Sequence, residues 1–291
     1  MANVTTPYLF SIFTNEYYRD MEIPDDRIDT VVNNTVSLIE QKCNRVFGQA
    51  TYKMWLDGSG ENYLALPQYP ITRIFRASTN SVDVLRINAA SLQHASVDSN
   101  GASVELTQIN TTGIVVQTDF KVSTYANVSS LSDAINALTD WTGTVQGSYD
   151  DALTQLIKPS YGEDALDNDY AMLQVPYDTV GVRISSESNY HIELKNGCFP
   201  CGHSNVFVWW TAGYVLAQDN DQHSALTVTG NVPGGLTLVC NQIVKDILDQ
   251  EQEDVNMTEE KLGDYSYVRN NILSAIDRRW KDLSSYANKV I

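Results

Sequence analysis

Two apolar stripes of helical period lie at opposite ends of this chain, and neither can be left facing water. In the first, Ile28, Val31, Val32, Val36, Ile39, Cys43, Val46 and Phe47 recur at a period of about 3.6 residues. Pro24-Asp25-Asp26 supplies acidic capping chemistry before it, and Gly48 is the expected stop. Near the other end, Leu236, Val239, Cys240, Ile243, Val244, Ile247 and Leu248 repeat the pattern. Gly234-Gly235 opens that helix and the acidic run Asp249–Asp254 follows it. A third stripe runs through Ile272, Leu273, Ile276, Trp280, Leu283 and Ala287. The simplest way to cover all three is to pack them on each other, so both chain ends are expected to form one helical core.

Between them the period changes. Thr51–Leu56 and Tyr63–Leu66 read as strands joined across the turn Asp57-Gly58-Ser59-Gly60, an expected β-hairpin. Ile71–Phe75 continues the series. Polar, β-branched runs follow, at Val82–Ile87, Val104–Leu106, Ile114–Gln117 and Val180–Ile184, punctuated by Asn, Ser, Gly and Asp clusters. One helix is expected inside this region, capped by Ser130 with Asp133 and carrying Ile135 and Leu138. The stretch Tyr161–Asp169 reads as a loop. The fold class is therefore α+β: a discontinuous helical core from residues 1–76 and 205–291 with a β-hairpin side, and a large β-rich insertion over 77–204.

Charge narrows the function. The chain carries 19 Lys and Arg against 36 Asp and Glu, a formal net charge of -17. The insertion holds 5 cations and 15 acids, so most of the acidity sits there. Such a surface repels phosphate and argues against a protein that wraps nucleic acid, although it suits a wall past which DNA moves without sticking. Hydrophobic residues make up 43%, too many for a disordered polyanion. No apolar run reaches the roughly 20 residues that cross a bilayer, and the N-terminal sequence lacks the basic segment of a signal peptide. Four scattered cysteines make no disulfide framework, so a reducing cytoplasm is the expected place of synthesis.

Catalytic and metal patterns are thin. Cys198-Phe199-Pro200-Cys201-Gly202-His203 has a metal-like spacing, but zinc wants a second ligand pair, and His94, His191 and His223 stand alone. It reads as a proline-bearing turn with two ordinary thiols. No glycine-rich phosphate loop and no nucleophile elbow occur, so no catalytic residue, cofactor or metal is expected and the chain is read as no enzyme. Trp209-Trp210 could offer a stacking platform; the alternation of Val206, Val208 and Trp210 with Phe207 and Trp209 favours a buried two-sided strand. Tyr8, Phe10 and Phe13 belong to an apolar arm that is either a first core helix or a partner-facing segment.

Several of these pieces, in this order, resemble the head–tail connector (adaptor) family of tailed bacteriophages. They are Ile39-Glu40-Gln41-Lys42-Cys43-Asn44-Arg45-Val46-Phe47, Tyr52 through Gly60, and Leu64-Ala65-Leu66-Pro67-Gln68-Tyr69-Pro70-Ile71. Trp210-Thr211-Ala212-Gly213-Tyr214 and Gly263-Asp264-Tyr265-Ser266-Tyr267 complete the set. The long middle segment departs from the family, whose members have a much shorter one. The resemblance implies a virion structural protein at the viral neck, assembled as a ring, a dodecamer in the family, beneath the portal protein. It implies portal on one face, a further tail or stopper protein on the other, and genomic DNA passing through the lumen without specific binding. Tyr8, Phe10, Phe13, Trp280, Tyr286 and Ile291 are the candidate partner-interface residues, since large apolar groups near chain ends make good anchors; Trp280 would equally fill a core. The rival expectation is a receptor- or carbohydrate-binding virion protein that uses the β-rich insertion.

Overall fold

A computed structural model describes residues 25–90, 92–215, 218–219, 226–228, 231–255 and 273–287. In chain order, α1 spans Asp25–Cys43, β1 Ala50–Gly58, β2 Tyr63–Ala65 and β3 Ile71–Ser78. Next come β4 Ser81–Ala89, β5 His94–Ser99, β6 Ser103–Ile109, β7 Val115–Lys121 and α2 Val128–Asn136. They are followed by β8 Trp141–Val145, β9 Ser160–Asp164, β10 Ala171–Pro176, β11 Val182–Ile184, β12 His191–Leu194 and β13 Gly202–Ala212. The short pair β14 Gln218–Asp219 and β15 Leu226–Val228 precedes α3, Gly234–Val255. Residues 273–278 are helical again, and α4 covers Trp280–Leu283. Helices and antiparallel strand pairs coexist, so the fold is α+β.

The chain divides into two compact units, Met1–Ala50 with Leu66–Thr72 and Ala212–Ile291, and Thr51–Ala65 with Arg73–Thr211. In the first unit the apolar stripes meet. Val31, Val32, Ile39 and Cys43 of α1 share one buried cluster with Leu236, Cys240, Ile243, Val244, Ile247 and Leu248 of α3, and with Ala275, Ile276 and Leu283. Helix α1 stops five residues before Gly48. The Asn44 N–H bonds the Gln41 carbonyl (3.2 Å) and the Arg45 N–H the Glu40 carbonyl (3.1 Å), with Asn44 left-handed at φ 50°. Asn tolerates that conformation, so it ends the helix in place of glycine. Val46, assigned to the stripe by its spacing, lies beyond this turn and is 42% exposed. Ile28 and Ile272 have side chains outside the described residues.

The second unit has its own core. Strand β4 is paired antiparallel with β10 on one side and β8 on the other. A second sheet runs in the order β7-β6-β5-β9. Val84, Leu85 and Ile87 of β4 are buried with Val97, Leu106, Phe120, Trp141 and Leu173, and with Val128, Leu131 and Ile135 of α2. Helix α2 begins earlier than Ser130. Asn127 is its N-cap, its Oδ1 accepting the Ser130 N–H at 3.0 Å, while Ser130 Oγ completes the reciprocal capping box.

Three further expectations are corrected. Strands β1 and β2 form no hairpin: β1 lies in the sheet β1-β13-β3, and β2 in β11-β12-β2. Asp57-Gly58 finishes β1 instead of turning it, held by the Asn205 side chain, which accepts the Gly58 N–H at 2.8 Å. Residues 161–164, the first part of the stretch read as loop, belong to β9, an edge strand against β5. The boundaries drawn at 76/77 and 204/205 fall inside β3 and β13, and the two compact units divide at 72/73 and 211/212 instead.

Candidate functional site

Residues from three of the motif segments, Phe47, Tyr69 and Tyr214, surround Arg45. This guanidinium is only 3% exposed, in the first unit. Its Nη1 donates to the Tyr286 carbonyl at 3.0 Å and its Nη2 to the Tyr69 carbonyl. The rings of Tyr69, Phe47 and Tyr214 lie 3.7, 4.9 and 5.7 Å from it, a cation–π cage. Glu40 stands beside it and accepts the Phe47 N–H at 2.8 Å. Burial raises the Glu40 carboxyl above its usual range, opposed by the Phe47 and Gly48 amides and by Arg45.

Backbone bonds tie the same residues together. The Tyr214 N–H donates to Phe47 (2.7 Å), the Gln49 N–H to Tyr214 (3.0 Å) and the Gly213 N–H to Pro70 (3.0 Å). Gly213 has φ +105°, and a Cβ there would sit 2.4 Å from the Gly48 carbonyl oxygen, so glycine is required. The Tyr69 hydroxyl reaches the Ala287 carbonyl at 2.5 Å. The chain's C-terminal segment is thus fastened at Tyr286 and Ala287 to the loop after α1 and to the Tyr69 loop.

Of the six candidate anchors, Trp280 and Tyr286 are described, and both are half-buried against the first unit's core. The Lys42 ammonium lies 5.0 Å from the Trp280 ring centroid and pairs with Asp277. Arg279 bonds Gln242 (2.6 Å) and Asp246 of α3 (3.3 Å). Tyr8, Phe10, Phe13 and Ile291 lie outside the described residues, as do Gly263–Tyr267 and His223.

In the second unit Cys198 and Cys201 are free and exposed. His203 Nδ1 lies 2.8 Å from Asp57 Oδ1. The Ser204 amide, bonded to the same oxygen at 2.7 Å, holds the Asp57 carboxyl below its usual range, with His203 adding to the effect. Among the described residues no group of three or more His, Cys, Asp or Glu could hold a metal ion. Strand β13 buries Val206, Phe207, Val208 and Trp210. Trp209 stays half-exposed between Phe75 (centroids 5.2 Å apart) and the Lys53 ammonium (4.7 Å).

Asp178 closes a separate polar knot, accepting from Ser78 Oγ, the Thr79 and Asn80 amides and Asn80 Nδ2. Burial works against its charge, but the bonds from Ser78, Asn80 and Thr79 outweigh it and hold the carboxyl below its usual range. An open cleft is lined by Asn62, Tyr63, Arg183, Ser185, Glu187, His191 and Glu193. Sequence reasoning missed it. The available signal was the polar–apolar alternation His191-Ile192-Glu193-Leu194, which marks a strand with one solvated face.

No family model, curated protein or solved structure matches the chain. Among the described residues no helix is long and apolar enough to cross a membrane.

Proposed function

We propose that this chain is a head–tail adaptor of a tailed bacteriophage, a structural subunit that joins portal to tail at the viral neck. One observation carries the reading. Three of the five segments that resemble the family, Ile39–Phe47, Leu64–Ile71 and Trp210–Tyr214, each place a ring (Phe47, Tyr69 and Tyr214) against Arg45, although up to about 170 residues separate them. A set of motifs that shares one packing site forms a unit of structure, so their joint presence weighs more than each motif does alone.

The helical core around that site supports the same reading, as does the acidic charge. An adaptor acts through geometry. Each subunit offers two different surfaces to its neighbours, and a heterologous contact repeated around an axis closes a ring. Its lumen should conduct DNA without holding it, which a net charge of -17 favours. The fastened C-terminal segment gives Trp280 and Tyr286 a fixed frame from which a portal contact can be presented. Mixing the purified chain with the portal of the same phage and imaging the product tests this: one capping ring on the portal is expected, and two species that never associate would refute it.

A further inference from the structure

The two faces of the β11-β12-β2 sheet differ in chemistry. Leu64 and Ile192, partners across β2 and β12, are both buried, at 4% and 0% exposure. The next rung, Arg183–Glu193–Tyr63, faces the opposite way, because successive strand residues alternate sides. His191, two residues from Glu193, shares that outer face. Asn62 before β2 and Ser185 and Glu187 after β11 complete an open cleft of about 450 Å³.

Three of its side chains are bonded to one another. Arg183 Nε and Nη2 lie 2.8 and 2.7 Å from Glu193 Oε2, and Ser185 Oγ donates to Glu193 Oε1 at 2.6 Å. The Ser185 and Arg183 bonds hold the Glu193 carboxyl below its usual range, so it stays an acceptor at neutral pH. A guanidinium has five N–H groups, and two are spent on Glu193, which leaves three. Tyr63 is 45% exposed, with its ring centroid 5.2 Å from the His191 ring. His191 in turn lies 4.2 Å from the ring of Tyr190.

This combination selects a class of ligand. One arginine against Glu187 and Glu193 gives no net attraction for an anion, which excludes phosphate and acidic sugars. A neutral polyol matches, since each hydroxyl both donates and accepts, and the cleft mixes donors (Arg183, Asn62) with acceptors (Glu187, Glu193). The exposed Tyr63 ring offers the apolar surface on which the C–H face of a pyranose packs. We infer that the outer face of this sheet binds a neutral oligosaccharide. The inference stands apart from the adaptor reading, since the site needs neither portal nor ring.

The test uses the whole protein and a panel of neutral hexasaccharides, namely cellohexaose, maltohexaose, mannohexaose and chitohexaose, with a hyaluronan hexasaccharide as the acidic comparison. Saturation-transfer NMR reports contact and titration calorimetry reports affinity. At least one neutral member should bind saturably, with hyaluronan weaker. Tyr63→Ala and Arg183→Ala should each weaken binding by about tenfold or more, a loss of about 1.4 kcal/mol. Tyr63→Phe, which keeps the ring, should bind as the parent does. Both truncated side chains face solvent, so thermal melting should not move. Failure of every neutral sugar to bind overturns the inference, as does a preference for hyaluronan or affinity that survives both truncations.

Discussion

Replacing Arg45 by alanine removes the group that Phe47, Tyr69 and Tyr214 surround. The guanidinium makes two bonds to carbonyls, those of Tyr69 and Tyr286, and lies 3.7 Å from the Tyr69 ring. A hydrogen bond from a charged donor contributes about 1.5–3 kcal/mol net, and a desolvated cation–π contact about 2 kcal/mol. Against this, water entering the vacated space can solvate the two freed carbonyls, which recovers part of the sum. The balance is a destabilisation of about 3 kcal/mol, more than a hundredfold in the folded-to-unfolded ratio. Urea denaturation followed by far-UV circular dichroism reads it, because α1 and α3 belong to the same unit. The midpoint should fall, and protease should cut sooner within 280–287, where Tyr286 loses its tether. Arg45→Lys should recover less than half of the loss, since a lysine ammonium cannot fork between two carbonyls and stack on a ring. An Arg45→Ala protein within about 0.5 kcal/mol of the parent would refute the argument, that being the range of an ordinary surface change.

Other consequences are as direct. Gly213→Ala should cost at least about 2 kcal/mol by the same denaturation assay, because it combines a positive φ with a Cβ 2.4 Å from the Gly48 oxygen. Asp178, held below its usual carboxyl range, should contribute stability above the ordinary aspartate pKa of 3.8 that is lost as pH falls through the lowered folded value. Asp178→Asn should therefore be less stable at neutral pH and show a shallower acid limb in melting temperature against pH. Iodoacetamide should label the exposed Cys198 and Cys201 in the native protein. It should spare Cys43, whose thiol is pushed up to about 11 by burial, and Cys240, pushed up further; mass spectrometry counts the adducts before and after unfolding.

What the sequence revealed follows from which forces are local. The stripes on α1 and α3 were legible because a buried helix face repeats every turn, and their shared cluster follows from the need to cover both. Val46 broke the pattern because Asn44 had already ended the helix, and asparagine is a weaker stop signal than Gly48. Strand β9 was hidden because Ser160–Asp164 is an edge with little apolar content. The false hairpin had a different cause. Gly58 and Gly60 resemble turn residues, but Gly58 is required because a Cβ there would overlap the Pro200 carbonyl, a neighbour 142 positions away. The alternation at His191–Leu194 marked a solvated strand face, but not the cleft on it, since Tyr63 meets Glu193 only through strand register. Arg45 lay inside a matching segment, but nothing there set it apart, because its role as a buried tether needs the Tyr69 and Tyr286 carbonyls in place.

We propose that this chain sits at the viral neck, and cryo-electron microscopy of the portal vertex in virions of a phage carrying its gene tests that placement directly. The expected result is a ring of this subunit directly beneath the portal, with the first unit's helices α1 and α3 fitting the ring density and the segment around Trp280 and Tyr286 at the portal contact. Density for this fold at the tail tip or on the capsid, with a different protein under the portal, would contradict it.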